Sequence, residues 1–263
     1  MIPQIIHQTW KNEIIPDNWK SSVESCKRIY STYNHMLWTD KLMDEFVKNE
    51  YPDFYKIYKS YKYHIQRCDA FRYLILYKFG GIYLDMDITC KKTLEKLLKY
   101  DIVFAKSANS TSLYTNSFYM SIPQHPFIKY CIDNLPKNIN KFSWAGKHLH
   151  VYNSTGPLFM TNMINKYKLI NIKNNYALSA SEFAGNCNVC NLNTCKGGIY
   201  FSHVIGESWH EFDSKFYNFI MCNYKKIFII FTIIFTIIFT IIFTIIYIKR
   251  NKTQVYLPAC GRS

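Results

Sequence analysis

Two carboxylates, Asp85 and Asp87, stand two residues apart after the apolar run Ile82-Tyr83-Leu84 and the double glycine Gly80-Gly81. At the end of a strand that spacing turns both side chains to one face. Two like charges so placed are unfavourable unless a cation or strong donors sit between them. A hard divalent ion, held by oxygens and keeping positions open for a diphosphate, suits the pair. A D-x-D pair alone is equally a solvated acidic turn. Its place at the carboxyl end of a strand, where α/β sheets bind ligands, makes it a candidate site. Asp69 and Arg72 precede it, three residues apart. On a helix they share a face, either as an ordinary ion pair or as a pair aimed at a ligand. In the second case Asp69 accepts from sugar hydroxyls and Arg72 bonds phosphate or sugar oxygens. A third group, His203 to His210, holds Gly206, Ser208 and Trp209 as well. It offers a metal ligand, a close backbone approach and an aromatic platform, although a histidine there is as readily structural.

Cys187, Cys190 and Cys195 form C-x2-C-x4-C in an Asn-rich stretch. A zinc site would need a fourth ligand, and His203 or His210 are the nearest histidines. A local disulfide or free thiols is the favoured reading. The other cysteines are scattered singly, as small buried hydrophobes are.

The elements that must carry these groups alternate. Ile2 to Trp10 reads as the first strand. Pro16-Asp17-Asn18 opens a helix that Asp17 or Asn18 could cap. Met36 to Thr39 is a short strand, and Asp40 could cap a helix to about Lys48. Pro52-Asp53 opens another helix. From Tyr63 to Phe79 the apolar residues recur at three- and four-residue steps, one face of a helix, which Gly80-Gly81 ends. Ile82 to Asp85, Asp101 to Ala105, Ser117 to Met120 and Ile199 to Val204 read as strands. Helices begin at His125-Pro126 and Gly156-Pro157. Strands alternating with helices predict an α/β fold with a mostly parallel sheet.

With 49% hydrophobic and 19% charged residues the chain is not disordered, and nine glycines exclude a collagen-like fibre. Ile227 to Ile248 is a run of 22 residues without charge, Gly or Pro, built on a Phe-Thr-Ile-Ile repeat. As a helix it is about 33 Å long, enough to cross a hydrocarbon core. The expected organisation is a globular domain over 1–224, a transmembrane helix over 225–250 and a short basic tail over 251–263. Four of the 32 basic residues and none of the 18 acidic ones follow residue 226, which leaves +10 of the +14 on the globular part. That balance fits an anionic substrate, an anionic membrane surface or nucleic acid. Met1 to His7 lacks the pattern of a secretory leader. A single span near the C-terminus reads as a tail anchor, whereas its flanking charges favour a cytosolic tail, so the side of the membrane stays open.

Gln66 to Asp87 resembles the D-x-x-R-Y…G-G-I-Y-x-D-x-D block of glycosyltransferase family 32, the DXD sugar-binding family. Ile2-Pro3-Gln4-Ile5-Ile6-His7-Gln8-Thr9-Trp10 is similar to its first strand, Thr155-Gly156-Pro157 to its T-G-P helix start, and His203 to His210 to its closing H-x-x-G-x-S-W block. These blocks span residues 2 to 210 in the family's order. Cys68 stands where many members have Ser or Ala, and the Cys187–Cys195 segment lies outside the pattern. The ending Ser208 to Asp213 and the apolar run resemble the inositol-phosphoceramide mannosyltransferase branch.

The resemblance implies a GT-A-like fold, a nucleotide-sugar donor, Mn²⁺ or Mg²⁺, and transfer with retention. It gives Asp85, Asp87 and Arg72 the catalytic positions, with Asp85, Asp87 and His203 on the metal. Asp69, Arg72, Tyr83, His7, Gln8 and Trp10 become donor contacts, and Ser208 and Trp209 close over the diphosphate. GDP-mannose is the first choice of donor and a UDP-hexose the second. The acceptor is a lipid or glycan at an endomembrane, with room for a partner membrane subunit. Three other readings compete: a nucleic-acid or anionic-lipid binding module, a catalytically dead membrane scaffold, and a phosphatase or nuclease using the same acidic pair. Against the first, there is no RRM, KH or zinc-finger signature, and without metal the D-x-D would repel phosphate. Nucleic acid is therefore not an expected partner.

Overall fold

A computed structural model describes residues 1–108, 113–187, 190–191, 195–204, 206 and 208–255, with 251–255 as backbone alone. The chain divides into Met1–Lys215 and Phe216–Ser263.

The first unit opens with β1 (Ile5–Trp10), α1 (Asp17–Ile29), β2 (Asn34–Thr39), α2 (Asp40–Glu50) and α3 (Pro52–Ser60). The long α4 (His64–Phe79) leads into β3 (Gly81–Leu84) and β4 (Ile88–Cys90). Then come β5 (Ile102–Lys106), β6 (Tyr114–Ser121), α5 (Pro126–Asn138), α6 (Gly146–Ser154) and α7 (Pro157–Tyr167). The last short elements are β7 (Asn175–Leu178), α8 (Ala180–Phe183) and β8 (Phe201–His203). Six strands form one sheet in the order β2-β1-β3-β6-β5-β7. β1 runs parallel to β2 and β3, and β5 to β7, while β6 runs antiparallel to both β3 and β5. The expected α/β fold with a mostly parallel sheet is present, with β6 as the reversed strand.

Side chains alternate across the sheet as a two-residue period requires. Tyr83 joins Phe71, Leu74, Phe104, Phe127 and Phe159 in the core on one face. Ile82 and Leu84 join Ile6, Val103, Phe118 and Phe201 on the other. Both faces are covered, as sheets with parallel strands need. α4 departs from the one-faced helix expected of it. Asp69 to Leu76 is buried without a break, because α4 is packed by α2, α3, α5 and α6 as well as by the sheet.

Two start signals are corrected. Thr39, not Asp40, caps α2 by accepting from the Leu42 N–H at 3.3 Å. Pro16 occupies the N-cap of α1 without a side-chain cap, so neither Asp17 nor Asn18 has that role. The elements missed in the sequence are β4, β7, α6 and α8, all short. α6 buries His148, His150 and Asn153, a set that has no apolar period to read.

The turn from α4 to β3 fixes the site. Gly80 has φ +64, and a Cβ there would stand 2.7 Å from the Ser121 carbonyl oxygen. Gly81 has φ +94, and its Cβ would stand 2.7 Å from the Ile5 carbonyl oxygen. Only glycine suits both conformation and space. His7 clamps the same turn. Trp38 donates its indole N–H to His7 Nδ1 at 3.1 Å, so Nε2 carries the proton and donates to the Gly80 carbonyl at 2.9 Å.

Disulfides in the unit include Cys26–Cys90 and Cys187–Cys195. Cys26–Cys90 joins α1 to β4, which replaces the reading of these two as unpaired buried hydrophobes. Cys187–Cys195 closes a short loop, as one of the favoured readings had it.

The helix α9 (Phe212–Val255) begins in the last residues of the first unit and runs through the described part of the second, and it starts at Phe212 rather than near Lys225. Residues 212–226 hold no Gly or Pro to stop the helix earlier. Residues Phe212–Arg250 make a helix long and apolar enough to cross a bilayer. Thr232, Thr240 and Thr244 donate to carbonyls four residues back at 2.7, 3.0 and 2.7 Å, and Thr236 does likewise. Their hydroxyls thus need no water, a condition for polar groups in lipid.

Burial lowers the His7 pKa from 6.5 to about 4, with the Gly80 hydrogen bond opposing the shift. The sign follows from linkage: the unfolded chain takes up this proton first. The stability it contributes is intact above pH 6.5 and is lost as pH falls through about 4. Tm of the full chain in detergent should fall over that window. Relative to wild type, His7→Gln should flatten the slope.

Candidate active site

The carboxyl ends of β1 and β3 lie side by side, and the start of antiparallel β6 meets them there. Asp85 N–H donates to the Ser117 carbonyl at 3.0 Å, which continues the β3–β6 ladder by one residue. A cavity of about 430 Å³ opens at this end. Asp69, Arg72, Tyr83, Asp85 and Asp87 all line it, together with Trp10, Ser208 and Trp209.

Arg72 is the centre of the site and only 2% exposed. Its Nη2 lies 2.7 Å from Asp69 Oδ1, its Nη1 lies 3.7 Å from Asp85 Oδ1, and Nη1 also donates to the Asn116 carbonyl. The guanidinium stands over the Tyr83 ring at 4.6 Å, a cation–π arrangement. Burial works against its charge, but Tyr83, Asp85 and Asp69 hold its pKa well above the usual arginine value. Asp69 is fixed in turn. Thr155 donates to Oδ2 at 2.8 Å and Asn116 Nδ2 to Oδ1 at 3.0 Å. Burial still raises Asp69 to about 6, against the pull of Arg72. Its first task is therefore to hold Arg72, and each oxygen keeps limited capacity for a ligand hydroxyl.

Tyr83 donates to Asp85 Oδ1 at 2.7 Å, and Thr9 Oγ1 lies 3.1 Å from the Tyr83 hydroxyl. Burial raises the Asp85 carboxyl, opposed by Arg72 and Tyr83. Asp87 is raised further, by burial and then by the charge of Asp85. Its Oδ1 is buried without a hydrogen-bond partner. A carboxylate oxygen in that state lacks a counter-charge. Two hard oxygen donors, one of them orphaned, fit a divalent cation, with diphosphate or water oxygens as the remaining ligands. Among the described residues no group of three His, Cys, Asp or Glu forms a closed metal site.

The closing segment reaches Asp87 along a two-stranded ribbon. β4 pairs with β8, and Val204 N–H donates to the Asp87 carbonyl at 2.8 Å. Gly206 then passes so close that a Cβ would meet Asp87 Oδ2 at 1.6 Å. Trp209 stacks on His148, with centroids 5.5 Å apart and rings 18° from parallel. Trp10 meets Trp19 edge to face at 4.8 Å, an apolar wall at the end of β1.

The structure does not bring His7, Gln8 or His203 into the cavity lining. His7 and Gln8 stand before the carboxyl end of β1, buried, and both His7 nitrogens are committed to the fold. His203 pairs with Ile88 across the ribbon, and burial lowers its pKa to about 4. Sequence reasoning missed Asn116 and Thr155 as partners of the charged centre. Thr155 had a signal, since it opens the T-G-P block. Asn116 had none.

Removing Arg72 would strand Asp69 and Asp85. Arg72→Met should lower unfolding stability by about 3–5 kcal/mol, as broken buried pairs do, and Arg72→Lys by less. Chemical denaturation of the full chain in detergent reads the difference.

Residues 16–104 match the family described as glycosyltransferase sugar-binding region containing DXD motif. The chain is 36% identical over 229 residues to inositol phosphoceramide mannosyltransferase 1 of Schizosaccharomyces pombe, covering 86% of this chain and 68% of that protein. It is 36% identical over 215 residues to a mannosyl phosphorylinositol ceramide synthase of Saccharomyces cerevisiae, covering 82% of this chain and 53% of that protein. An uncharacterized glycosyltransferase of Acanthamoeba polyphaga mimivirus is 33% identical over 217 residues, covering 80% of this chain and 84% of that protein. The chain thus spans between about half and five sixths of the length of these relatives. With the paired carboxylates, the buried Arg72 and the glycine-gated cavity in their places, the chain belongs to the DXD-containing glycosyltransferase family.

Proposed function

We propose that the protein transfers mannose from GDP-mannose to the phosphoinositol headgroup of a glycolipid, with retention of configuration, beside a membrane crossed by α9. The observation that carries the reading is the orphaned, buried Oδ1 of Asp87 next to Asp85 in a cavity that also holds Arg72. The relatives' names support mannose as the sugar and inositol phosphoceramide as the acceptor.

Asp85 and Asp87 would hold Mn²⁺ or Mg²⁺. When bound, the ion supplies neutralisation of the charge that builds on the departing diphosphate. The chain's own residues do the rest. Tyr83 and Arg72 both contact Asp85 through Oδ1, which fixes the carboxylate plane. Arg72, held by Asp69 and the Asn116 carbonyl, presents a fixed cation to phosphate oxygens. Asp69 orients a sugar hydroxyl with its remaining capacity. Trp10 and Trp19 offer an apolar surface to the nucleoside base. Ser208 and Trp209 close over the diphosphate, with Trp209 backed by His148.

Asp69 is held at both carboxylate oxygens by Arg72, Asn116 and Thr155, which leaves it unfit as a covalent nucleophile. The acceptor hydroxyl oxygen therefore bonds the anomeric carbon on the face the diphosphate leaves. The bond to the diphosphate breaks, and the hydroxyl proton passes to the departing phosphate oxygen.

Hydrolysis of a panel of GDP- and UDP-sugars by the full chain in detergent tests this. One donor, GDP-mannose, should turn over with Mn²⁺. Asp85→Ala and Asp87→Ala should each lower the rate by roughly 10²–10³. Gly206→Ala should lower it too, since its methyl displaces the Asp87 carboxylate. Unchanged rates in folded Asp variants would sink the assignment.

A further inference from the structure

Three lysines line the cavity: Lys11, which lies 5.7 Å from the Trp10 ring centroid at the end of β1, and Lys62 and Lys147, which the donor chemistry leaves unused. Tyr63 sits at the N-cap of α4 and lines the cavity with Lys62 and Lys147. Lys62 Nζ lies 5.3 Å from the Tyr63 ring centroid, and Lys147 Nζ, from the first turn of α6, lies 5.6 Å from the same centroid. Both ammonium groups thus flank one ring in the cavity lining. Glu211 stands 2.6 Å from Lys147, but its side chain is 66% exposed, and an ion pair so placed contributes little. Among the described residues no carboxylate pairs with Lys62. The neighbouring His64 is committed elsewhere, with Nε2 at 3.1 Å from Asp40 and Nδ1 at 3.5 Å from Cys68 Sγ.

The position of this pair also differs from that of the paired carboxylates and the Trp10–Trp19 wall, while Asp69 and Arg72 stand on α4 and Trp209 stacks on His148 of α6. Asp85, Asp87, Trp10 and Trp19 come from β1, α1 and the end of β3. Lys62 and Tyr63 come from the α3–α4 loop, and Lys147 from α6. One cavity thus has cationic groups in three places: Arg72 beside the carboxylates, Lys11 at the end of β1, and Lys62 and Lys147 around Tyr63.

We propose that Lys62, Tyr63 and Lys147 form a second anion subsite, which takes the phosphodiester of the acceptor headgroup. The proposal rests on the transferase reading of the same cavity. A phosphodiester carries one negative charge and free oxygens for two ammonium donors. It needs no metal to bind there. Holding the phosphodiester there presents the attached polyol, rather than water, to the donor sugar, and orientation of that kind accelerates transfer over hydrolysis.

The test uses the full chain in detergent, the double variant Lys62→Gln/Lys147→Gln and the single variant Lys62→Gln. Donor hydrolysis without acceptor should be unchanged in both. KM for an inositol phosphoceramide in mixed micelles should rise roughly tenfold per lysine lost, the loss of a charge-assisted hydrogen bond. Lys62→Arg should restore it. Calorimetry gives a readout free of turnover. Wild type should bind glycerophosphoinositol, bind inositol weakly, and prefer the diester to inorganic phosphate, and the double variant should lose the diester. Equal binding of inorganic phosphate would assign the place to free phosphate and overturn the headgroup. An unchanged acceptor KM with unchanged diester binding would overturn the subsite. So would an equal rise in donor KM, which would move the lysines to the donor. Wild type that hydrolyses no donor would sink the transferase reading alone, and the calorimetric arm would still decide the subsite.

Discussion

Three carboxylates, Asp69, Asp85 and Asp87, surround one buried guanidinium, and this imbalance governs the molecule. Arg72 at 2% exposure could not stay charged in a low-dielectric interior without Asp69 at 2.7 Å and Tyr83 beneath it. Asp69 could not stay in place without Thr155 and Asn116. That leaves Asp85 and Asp87 with one shared, partial partner. With all groups ionised the cluster carries two net negative charges, which one divalent cation would balance. Burial raises both carboxyls, and the charge of Asp85 adds to the rise at Asp87. In the proposed reaction a divalent cation would meet that charge and, through the cation, a diphosphate.

The backbone is arranged to hold this cluster. α4 carries Asp69 and Arg72, turns at Gly80-Gly81 and delivers β3 with Tyr83 and Asp85 almost without slack. The turn needs two positive φ angles and leaves no space for a side chain. His7 locks it from β1, and Trp38 on β2 fixes the His7 tautomer. The Cys26–Cys90 bridge anchors β4 just beyond Asp87, and the chain after the β4–β8 ribbon places Gly206 against Asp87 and Trp209 in the cavity lining. Each restraint is far in sequence from the group it positions, so the site depends on the sheet rather than on any one loop.

That dependence decides what was legible in the sequence. The Asp69 to Asp87 stretch was readable because helix, turn, strand and D-x-D are consecutive, and each states itself by local spacing. The closing block was readable as a motif. The neighbours of Asp69 were not, because Asn116 arrives on the antiparallel strand β6 and Thr155 on the α6–α7 turn, 47 and 86 residues away. His7 and Gln8 read as ligand contacts because their strand ends at the cavity, but pleating and distance from the strand end leave them inside the fold. Short elements such as β4 and α6 gave no periodic signal, since their burial is polar or only a few residues long.

The central claim is that Asp85 and Asp87 form a divalent-cation site that is completed by a nucleoside diphosphate. Electron paramagnetic resonance titration of Mn²⁺ into the full chain in detergent, with and without GDP, tests it most directly. The account predicts one bound Mn²⁺ per chain, tightened by GDP and abolished by Asp87→Asn in protein that remains folded. Mn²⁺ binding that is unchanged in Asp87→Asn, or indifferent to GDP, would contradict it.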